Sequence, residues 1–324
     1  MKWFRENGRD YPWRQTEDPY AILVSEIMLQ QTQIATVLDR GYYVRWMSQF
    51  PDWAALASAS EGEVLKAWEG LGYYRRARNL QRLAAVILAD HGGEFPRDMD
   101  QIEALPGVGP YTAGAVASFA FDLPQPIVDG NVARVLSRWY DDATPIDSNE
   151  GKNQLWARAE ELVKASGFPR LFNSAIMELG QTICRPLAPR CSECPVAKQC
   201  VTSAPETLPV KQSKTTITAV SEHVFFCEND QGILLEQETG SRRTGMWKLP
   251  ALADEQSHAP VIMKTTYGIT RYKVTLWVHE TTEAPIGDHL RRVPLAELDN
   301  LAMPSPYRKA LRTILSARHF ELKA

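Results

Sequence analysis

The sequence predicts a multidomain protein in which an all-α region is followed by an α+β region. Up to about residue 200, apolar residues recur at helical spacing, and helix-start and helix-stop signals separate the runs. Beyond residue 216, short apolar runs and period-two alternation indicate strands. We expect domains at 1–204 and 217–324, joined at 205–216 by a polar linker that contains proline.

Composition limits the class of protein. The 324 residues carry a net charge of −3, so any nucleic-acid surface must be a local patch and not a basic whole. No apolar run reaches the roughly 18 residues of a membrane span, and the N-terminus MKWFRENGRD lacks the apolar core of a signal peptide. Five cysteines without a secretion signal argue against a disulfide scaffold. We expect a monomeric, cytoplasmic and nucleoid-associated protein with no membrane segment.

The stretch LPGVGPYTAGAVASFAFDLPQPIVD, residues 105–129, is the most informative in the helical region. Gly107 and Gly109 allow a sharp turn that comes close to another molecule. A helix over 111–121 follows, and its N-terminal amides and dipole suit a phosphate. Asp129 precedes a further helical run, where it is either an N-cap or a carboxylate that faces the same ligand as the turn.

A long helical pattern is predicted over 21–38, and it contains Glu26 between Ser25 and Ile27. Such a residue usually lies solvated at the edge of an apolar stripe. A buried glutamate would have a raised pKa and would serve as a general acid. The amides at 30–33 suit hydrogen bonds to DNA bases or backbone, although glutamine is also common on helix surfaces.

Two further segments combine aromatic and basic side chains. The turn GLGYY, residues 70–74, precedes three arginines, which suits base stacking and phosphate neutralisation but equally suits a helix–helix corner with a solvated basic face. The loop RDYPWR, residues 9–14, also places aromatic and arginine side chains together, and the alternative interpretation is a packed N-terminal arm. Two helices are expected over 51–91.

Four cysteines form the pattern C-x6-C-x2-C-x5-C within the loop 184–200. Such a cluster predicts a metal centre in a reducing compartment. Structural zinc is the common alternative, but zinc ribbons usually pair two CxxC knuckles, and only one is present here. A single loop that offers four thiolates favours a [4Fe–4S] cluster. The predicted ligands are Cys184, Cys191, Cys194 and Cys200, while Cys227 is interpreted as a core residue.

These motifs resemble one family. SEIMLQQTQ, GLGYY, LPGVGPYTAGA, DGN and the cysteine spacing occur in the order found in MutY-type adenine DNA glycosylases, within the endonuclease III superfamily of helix-hairpin-helix enzymes. The resemblance implies a helix-hairpin-helix glycosylase domain with an Fe–S loop. GMWKLP, residues 245–250, resembles the GxWxxP signature of Nudix-like folds, but nothing reads as the metal-binding REx2Ex2E helix. The missing motif indicates a recognition module without hydrolase chemistry, and the family resemblance implies that this module recognises 8-oxoguanine.

The resemblance also implies roles for individual residues. Glu26 would protonate N7 of a flipped adenine, and Asp129 would stabilise the sugar cation with support from Asn131. Tyr111 stands where strand-cutting relatives carry lysine, which implies a monofunctional enzyme that leaves an abasic site. The implied DNA and substrate contacts are Arg9, Arg14, Leu29, Gln31, Thr32, Tyr73, Gly107, Gly109, Ser174, Thr270 and Arg271.

Two positions depart from the family pattern. Ser174 replaces the usual Gln or Glu at the adenine edge, and Ile269-Thr270-Arg271 replaces Phe-Ser-His, which reads 8-oxoguanine in many bacterial members. The expected partner is double-stranded DNA with adenine opposite 8-oxoguanine or guanine. A thymine-mismatch or oxidised-pyrimidine glycosylase is the alternative activity, and a non-catalytic Fe–S DNA-binding protein is the alternative class.

Overall fold

The computed structural model describes residues 1–212, 216–240, 243–252, 259–282, 287 and 289–321. Part of the predicted linker therefore lies outside the described residues. Helices fill the chain before the linker, and strands begin after it, so the predicted order of an all-α and an α+β region is confirmed.

The chain forms two compact units, and their boundaries are not sequential. The first unit comprises Met1–Thr36, Asp52–Ala54 and Arg82–Lys214, and the second comprises Val37–Pro51, Ala55–Gln81 and Thr215–Ala324. The predicted domains 1–204 and 217–324 divide the chain by sequence pattern, whereas these units group residues by contact. The two divisions therefore describe different properties of the chain.

The described helices are α1 Lys2–Asn7, α2 Pro19–Leu29, α3 Ile34–Asp39, α4 Tyr42–Gln49, α5 Trp53–Ser58, α6 Glu61–Ala67, α7 Arg75–Asp90, α8 Met99–Glu103, α9 Pro110–Phe121, α10 Gly130–Trp139, α11 Asn149–Ser166, α12 Pro169–Thr182 and α13 Ser305–Glu321. Short 3-10 turns occur at Pro12–Arg14, Cys191–Glu193, Pro205–Thr207 and Leu295–Asn300. The described strands are β1 Thr218–Phe226, β2 Glu228–Asn229, β3 Gly232–Gln237, β4 Trp247–Lys248, β5 Val261–Ile269, β6 Tyr272–Glu280 and β7 Leu290–Val293.

The single helix predicted over 21–38 is wrong. The chain leaves α2 after Leu29 and begins α3 at Ile34. Between them Gln31 adopts a φ of +57°, a left-handed conformation that an α-helix does not contain. Residues 51–91 contain three helices and not the predicted two, because α5 and α6 are separate.

The α8–α9 hairpin has the predicted tight turn. Gly107 has a φ of +78°, and the amide of Val108 donates to the carbonyl of Leu105 at 3.1 Å. Pro110 occupies the first turn of α9, where its missing N–H costs nothing. Further along α9, a Cβ on Gly114 would stand 2.2 Å from the carbonyl oxygen of Pro126. Glycine therefore lets the loop that leads to Asp129 lie directly against α9.

The core of the first unit positions this loop and α10. The apolar face of α10, with Val132 and Leu136, packs with Ala115 of α9, Ile127 of the loop and Leu179 of α12. Helix α2 is apolar over nearly its whole length and is buried from Tyr20 to Met28. A polar side chain within α2 is therefore carried into the interior.

In the second unit, two sheets share a core with α13. The order in one sheet is β1-β6-β5, with β1 and β6 parallel and β5 and β6 antiparallel. The other contains β2-β3-β4, with β7 also paired to β3. The buried residues of this core include Val224, Phe226, Ile233, Leu235, Leu276, Val278, Tyr307, Leu311 and Ile314. Within the described residues, no helix is both long and apolar enough to span a bilayer.

Candidate active site

A pocket of about 650 Å³ lies within the first unit. Arg14 of the N-terminal arm, Glu26 and Leu29 of α2, and Ser174 of α12 all line it. These four predicted site residues come from three distant parts of the sequence, so the fold brings them together. Trp13, Met177, Arg170 and Gln181 also line the pocket, and the sequence interpretation did not select them.

Glu26 is buried in this pocket, with 5% of its surface exposed. Burial raises the pKa of its carboxyl to about 7, and the charge of Asp129 adds to this rise. A hydrogen bond from Tyr111 and the positive charge of Arg14 oppose the rise, but burial outweighs them. The structure therefore places Glu26 as a buried acid and not as a solvated residue at the edge of an apolar stripe.

Tyr111 is the hydrogen-bond partner of Glu26. Its Oη donates to Oε2 of Glu26 at 2.9 Å. Burial, together with the negative charges of Glu26 and Asp129, raises the pKa of the phenol well above its ordinary value. Tyr111 therefore remains protonated and acts as a fixed donor to the acid.

Asp129 caps α10, and its carboxylate lies within electrostatic range of Glu26. The role of an N-cap is therefore compatible with that of a carboxylate at the site. Its Oδ1 accepts the amides of Asn131 at 2.9 Å and Val132 at 2.7 Å. Its Oδ2 accepts the side-chain amide of Asn131 at 2.9 Å. Three donors thus fix the carboxylate in one orientation at the positive end of the helix.

Hydrogen bonds connect this site with the cysteine loop. Oδ1 of Asn131 accepts from Nη2 of Arg134 at 2.9 Å. The same guanidinium donates to the carbonyl of Gly180 at 2.7 Å and to that of Cys184 at 2.8 Å. The position of Asn131, and through it that of Asp129, therefore depends on the start of the cysteine loop.

Glu178 holds the N-terminal arm. This carboxylate is fully buried on α12 and accepts from Nε of Arg9 at 2.7 Å and from Nη1 of Arg14 at 2.9 Å. Arg9 also donates to Gln181 at 2.9 Å and is not among the lining residues. The sequence interpretation missed Glu178, although it shares with Glu26 the signal of a lone acid among apolar helical residues.

The four cysteines of the loop lie near one another. The thiols of Cys184, Cys191 and Cys200 are close enough to Cys194 for their charges to add to the rise that burial causes in its pKa. Nη1 of Arg138, which is almost fully buried, donates to Sγ of Cys184 at 3.4 Å. In the part of the chain that the structure describes, no three His, Cys, Asp or Glu side chains are grouped tightly enough for one metal ion.

Gln31 and Tyr73 share an unusual backbone conformation but lie in different units. The φ of Tyr73 is +48°, 43% of the residue's surface is exposed, and the guanidinium of Arg76 lies 5.5 Å from its ring. Gln31 is exposed as well, and Thr32 beside it is half-buried. Neither Gln31 nor Tyr73 lines the pocket. A non-glycine residue at positive φ is uncommon and costs energy, so both positions are candidates for function.

Thr270 and Arg271 form the two-residue turn between β5 and β6, within the second unit. Thr270 has a φ of +50°, and its hydroxyl donates to the carbonyl of Ile269 at 2.7 Å. Arg271 is exposed, and its guanidinium contacts Tyr272. Both side chains therefore contact residues of the same hairpin.

Comparisons with known proteins identify the family. Residues 24–165 match the model of the HhH-GPD superfamily base excision DNA repair proteins. An adenine DNA glycosylase of Buchnera aphidicola subsp. Acyrthosiphon pisum is 32% identical over 252 residues, which are 76% of this chain and 70% of that protein. The chain belongs to the adenine DNA glycosylase family.

Other relatives of the family are more similar in sequence but longer. The mouse adenine DNA glycosylase is 46% identical over 209 residues, which are 62% of this chain and 40% of that protein. Among solved structures, a thermostable thymine-DNA glycosylase is 34% identical, has a TM-score of 0.56 and is matched over 62% of this chain and 91% of its own. The chain thus spans about 40% of the length of its mouse relative.

Proposed function

We propose that this protein is a monofunctional glycosylase that removes adenine mispaired with 8-oxoguanine or guanine in duplex DNA. One observation carries the proposal: the carboxyl of Glu26 is buried in a pocket, has a pKa of about 7 and lies within electrostatic range of the oriented carboxylate of Asp129. A protonated acid beside an ionised carboxylate is the pair that glycosidic cleavage requires.

The chemistry follows from these groups. The adenine nucleotide leaves the duplex and enters the pocket, where Glu26 transfers its proton to N7. The bond from C1′ to N9 then breaks, and its electron pair leaves with the neutral base. Asp129 stabilises the cationic sugar, and water adds to C1′ while its proton returns to Glu26. Since Tyr111 offers no amine, no Schiff base forms and the strand stays intact.

Several side chains would hold the substrate. Arg14, fixed by Glu178, would contact the adenine, and Ser174 would reach its edge directly or through a water. Gln31 and Tyr73, both exposed at strained backbone positions, would hold the opened duplex. The amides beside Gly107 and Gly109 would bind a DNA phosphate.

We also propose that the loop 184–200 holds a [4Fe–4S] cluster on its four cysteines. The proximity of four thiols in one loop that contains a single CxxC supports a multi-iron centre over zinc. The cluster would keep this loop folded, and Arg134 would carry that order to Asn131. Iron content is the test: about four irons per chain are expected, whereas one zinc per chain would refute the proposal.

The α+β region is proposed to be Nudix-like and to recognise 8-oxoguanine. A parallel β1–β6 pair packed with α13 and the turn at Gly245 support this interpretation. Thr270 would bond to the lesion, and Arg271 would contact a nearby phosphate. We further propose a cytoplasmic, nucleoid-associated monomer.

Single-turnover kinetics test the activity. Duplexes with adenine opposite 8-oxoguanine, guanine or thymine are incubated with excess enzyme, and strand cutting is read with and without hot alkali. Alkali-dependent cutting that is fastest at 8-oxoguanine is expected. Equal rates at guanine would remove the lesion specificity, and no adenine release would refute the activity.

Removal of thymine from a mismatch is the second candidate. The thymine-DNA glycosylase structure, 34% identical, and the short Ser174 in the pocket favour testing it. A duplex with thymine opposite guanine in the same assay separates the two activities. Thymine release without adenine release would establish this alternative.

A further inference from the structure

A second cleft, of about 820 Å³, lies within the second compact unit. One side is formed by α4 and the other by α13, and residues at the end of α6 also line it. Of the described lining residues, five are Lys or Arg and one, Glu69, is acidic. This composition contrasts with the net charge of −3 of the whole chain.

The spacing of polar residues on both helices places them along the cleft. On α13, Ser305, Lys309, Arg312 and Ser316 are separated by four, three and four residues and therefore share one helical face. On α4, Arg45 and Gln49 are four residues apart and are lining residues as well. Two rows of hydrogen-bond donors thus line the same cleft.

The single lining carboxylate is already neutralised. Nε and Nη2 of Arg308 donate to the two oxygens of Glu69 at 2.7 and 3.0 Å, and Nζ of Lys66 stands 2.8 Å from the same group. Only 9% of the Arg308 side chain is exposed, so this pair is fixed in the wall. Among the described lining residues, the cations nearer to solvent therefore have no further carboxylate to neutralise them.

The three remaining cations are exposed. Arg312 pairs with Asp299 at 3.1 Å, but both side chains are more than two-thirds exposed, and such a pair contributes little. Arg45 and Lys309 are exposed on opposite sides of the cleft. Together with Arg312 they form a concentrated positive surface that attracts a polyanion.

The lining indicates which anion fits. Small-molecule pockets are lined mainly by apolar and aromatic side chains, whereas the described lining here is dominated by charged, amide and hydroxyl groups. Arginine, lysine, serine and threonine are the side chains that bind DNA phosphates without reading sequence. We propose that this cleft binds the phosphate backbone of duplex DNA. The proposal rests on the proposed function, which supplies the duplex.

The test is the salt dependence of binding to an undamaged duplex. The variant Lys309→Gln/Arg312→Gln removes one unpaired cation and one exposed ion pair. Lys264→Gln/Arg291→Gln is a matched control in the same unit, because Lys264 is exposed several residues from the Thr270–Arg271 turn and Arg291 pairs with Glu297 at 3.2 Å. Dissociation constants are measured between about 50 and 200 mM salt.

Each lost phosphate contact lowers the magnitude of the slope of log K against log salt by about 0.9. The slope of the double cleft variant is therefore expected to be smaller by one to about two, and the slope of the control should not change. Arg45→Gln, on the opposite helix, is expected to lose about one unit. Slopes equal to that of the control in both cleft variants would overturn the proposal. Binding of a polyglutamate probe that duplex DNA does not displace would also overturn it, in favour of an acidic protein partner.

Adenine excision under single-turnover conditions separates this proposal from the proposed function. The double cleft variant and Arg45→Gln are both expected to excise adenine at the wild-type rate at saturating enzyme, because neither change touches the pocket that contains Glu26. Normal adenine excision with unchanged salt slopes would overturn the proposal for the cleft and leave the proposed activity intact. Altered slopes in a protein that excises no adenine would defeat the proposed activity and leave the cleft as a DNA surface.

Discussion

In the first unit, Glu26 accepts a hydrogen bond from Tyr111 and Asp129 is held by side-chain and backbone amides, whereas in the second unit the side chains of Thr270 and Arg271 contact residues of their own hairpin. Burial moves the pKa of Glu26, and three donors orient Asp129. The proposed chemistry thus depends on groups fixed before DNA arrives, whereas the side chains proposed to read the lesion are held only by short contacts within their hairpin. A site built for bond cleavage needs such fixed groups more than a reading site does.

The largest effects should come from the two carboxylates. Glu26→Gln and Asp129→Asn are each expected to slow adenine excision by about 10²–10⁴-fold, because one removes the acid and the other the stabilising charge. Asparagine at 129 still accepts the α10 amides, so the melting temperature should change little.

The matched control is Asp98→Asn, since Asp98 caps α8 by accepting the amide of Gln101 at 3.1 Å. It is expected to leave excision unchanged. If Asp129→Asn behaved like this control, Asp129 would be a cap and nothing more, and the contrast between the two regions would fail.

The stability of the protein should report the buried acid. The pKa of Glu26 is raised from an ordinary 4.5 to about 7, so the protonated form stabilises the fold fully below pH 4.5, and this contribution is lost as the pH rises through 7. Glu26→Gln removes the ionisation and should gain about 3 kcal/mol relative to wild type between pH 4 and pH 8.

Melting temperatures of wild type and Glu26→Gln across this pH range provide the measurement. Glu161→Gln, at an exposed position on α11, is the control and should show no such trend. A pH-independent difference for Glu26→Gln would mean that Glu26 is not buried as an acid.

The rate of excision should follow the same carboxyl. Since the protonated form of Glu26 is the acid, the single-turnover rate should be maximal below about pH 7 and fall about tenfold per pH unit above it. Tyr111→Phe removes a hydrogen bond that lowers the pKa of Glu26, so the midpoint should move upward. A midpoint that stays in place would exclude Tyr111 as the residue that tunes the acid.

The smallest effects are expected at the hairpin. Thr270→Ala and Arg271→Ala should each lower the preference for adenine opposite 8-oxoguanine over guanine by only a few-fold, because each removes about one exposed contact. The ratio of the two single-turnover rates is the measure, and excision at guanine should not change. An unchanged ratio in both variants would assign lesion reading to other residues.

Much of the site was predictable because its signals are local. The Gly107 turn, the α9 helix and the capping position of Asp129 follow from turn and cap preferences. Strand β5 was not singled out, because its apolar run Val261–Met263 gives way to polar residues and all its residues are exposed or half-buried. The break at Gln31 was missed as well, since helix propensity cannot foresee a left-handed residue.

The sequence by itself determined the family, the order of the elements and the residue types that carry the chemistry, because propensities, caps and motif spacings depend on near neighbours in the chain. Only the tertiary structure decided which acids are buried. Glu26 and Glu178 have similar local sequences, yet Glu26 contacts a phenol beside a pocket and Glu178 contacts two arginines. The protonation of a carboxyl depends on every element packed around it, and no local pattern contains that information.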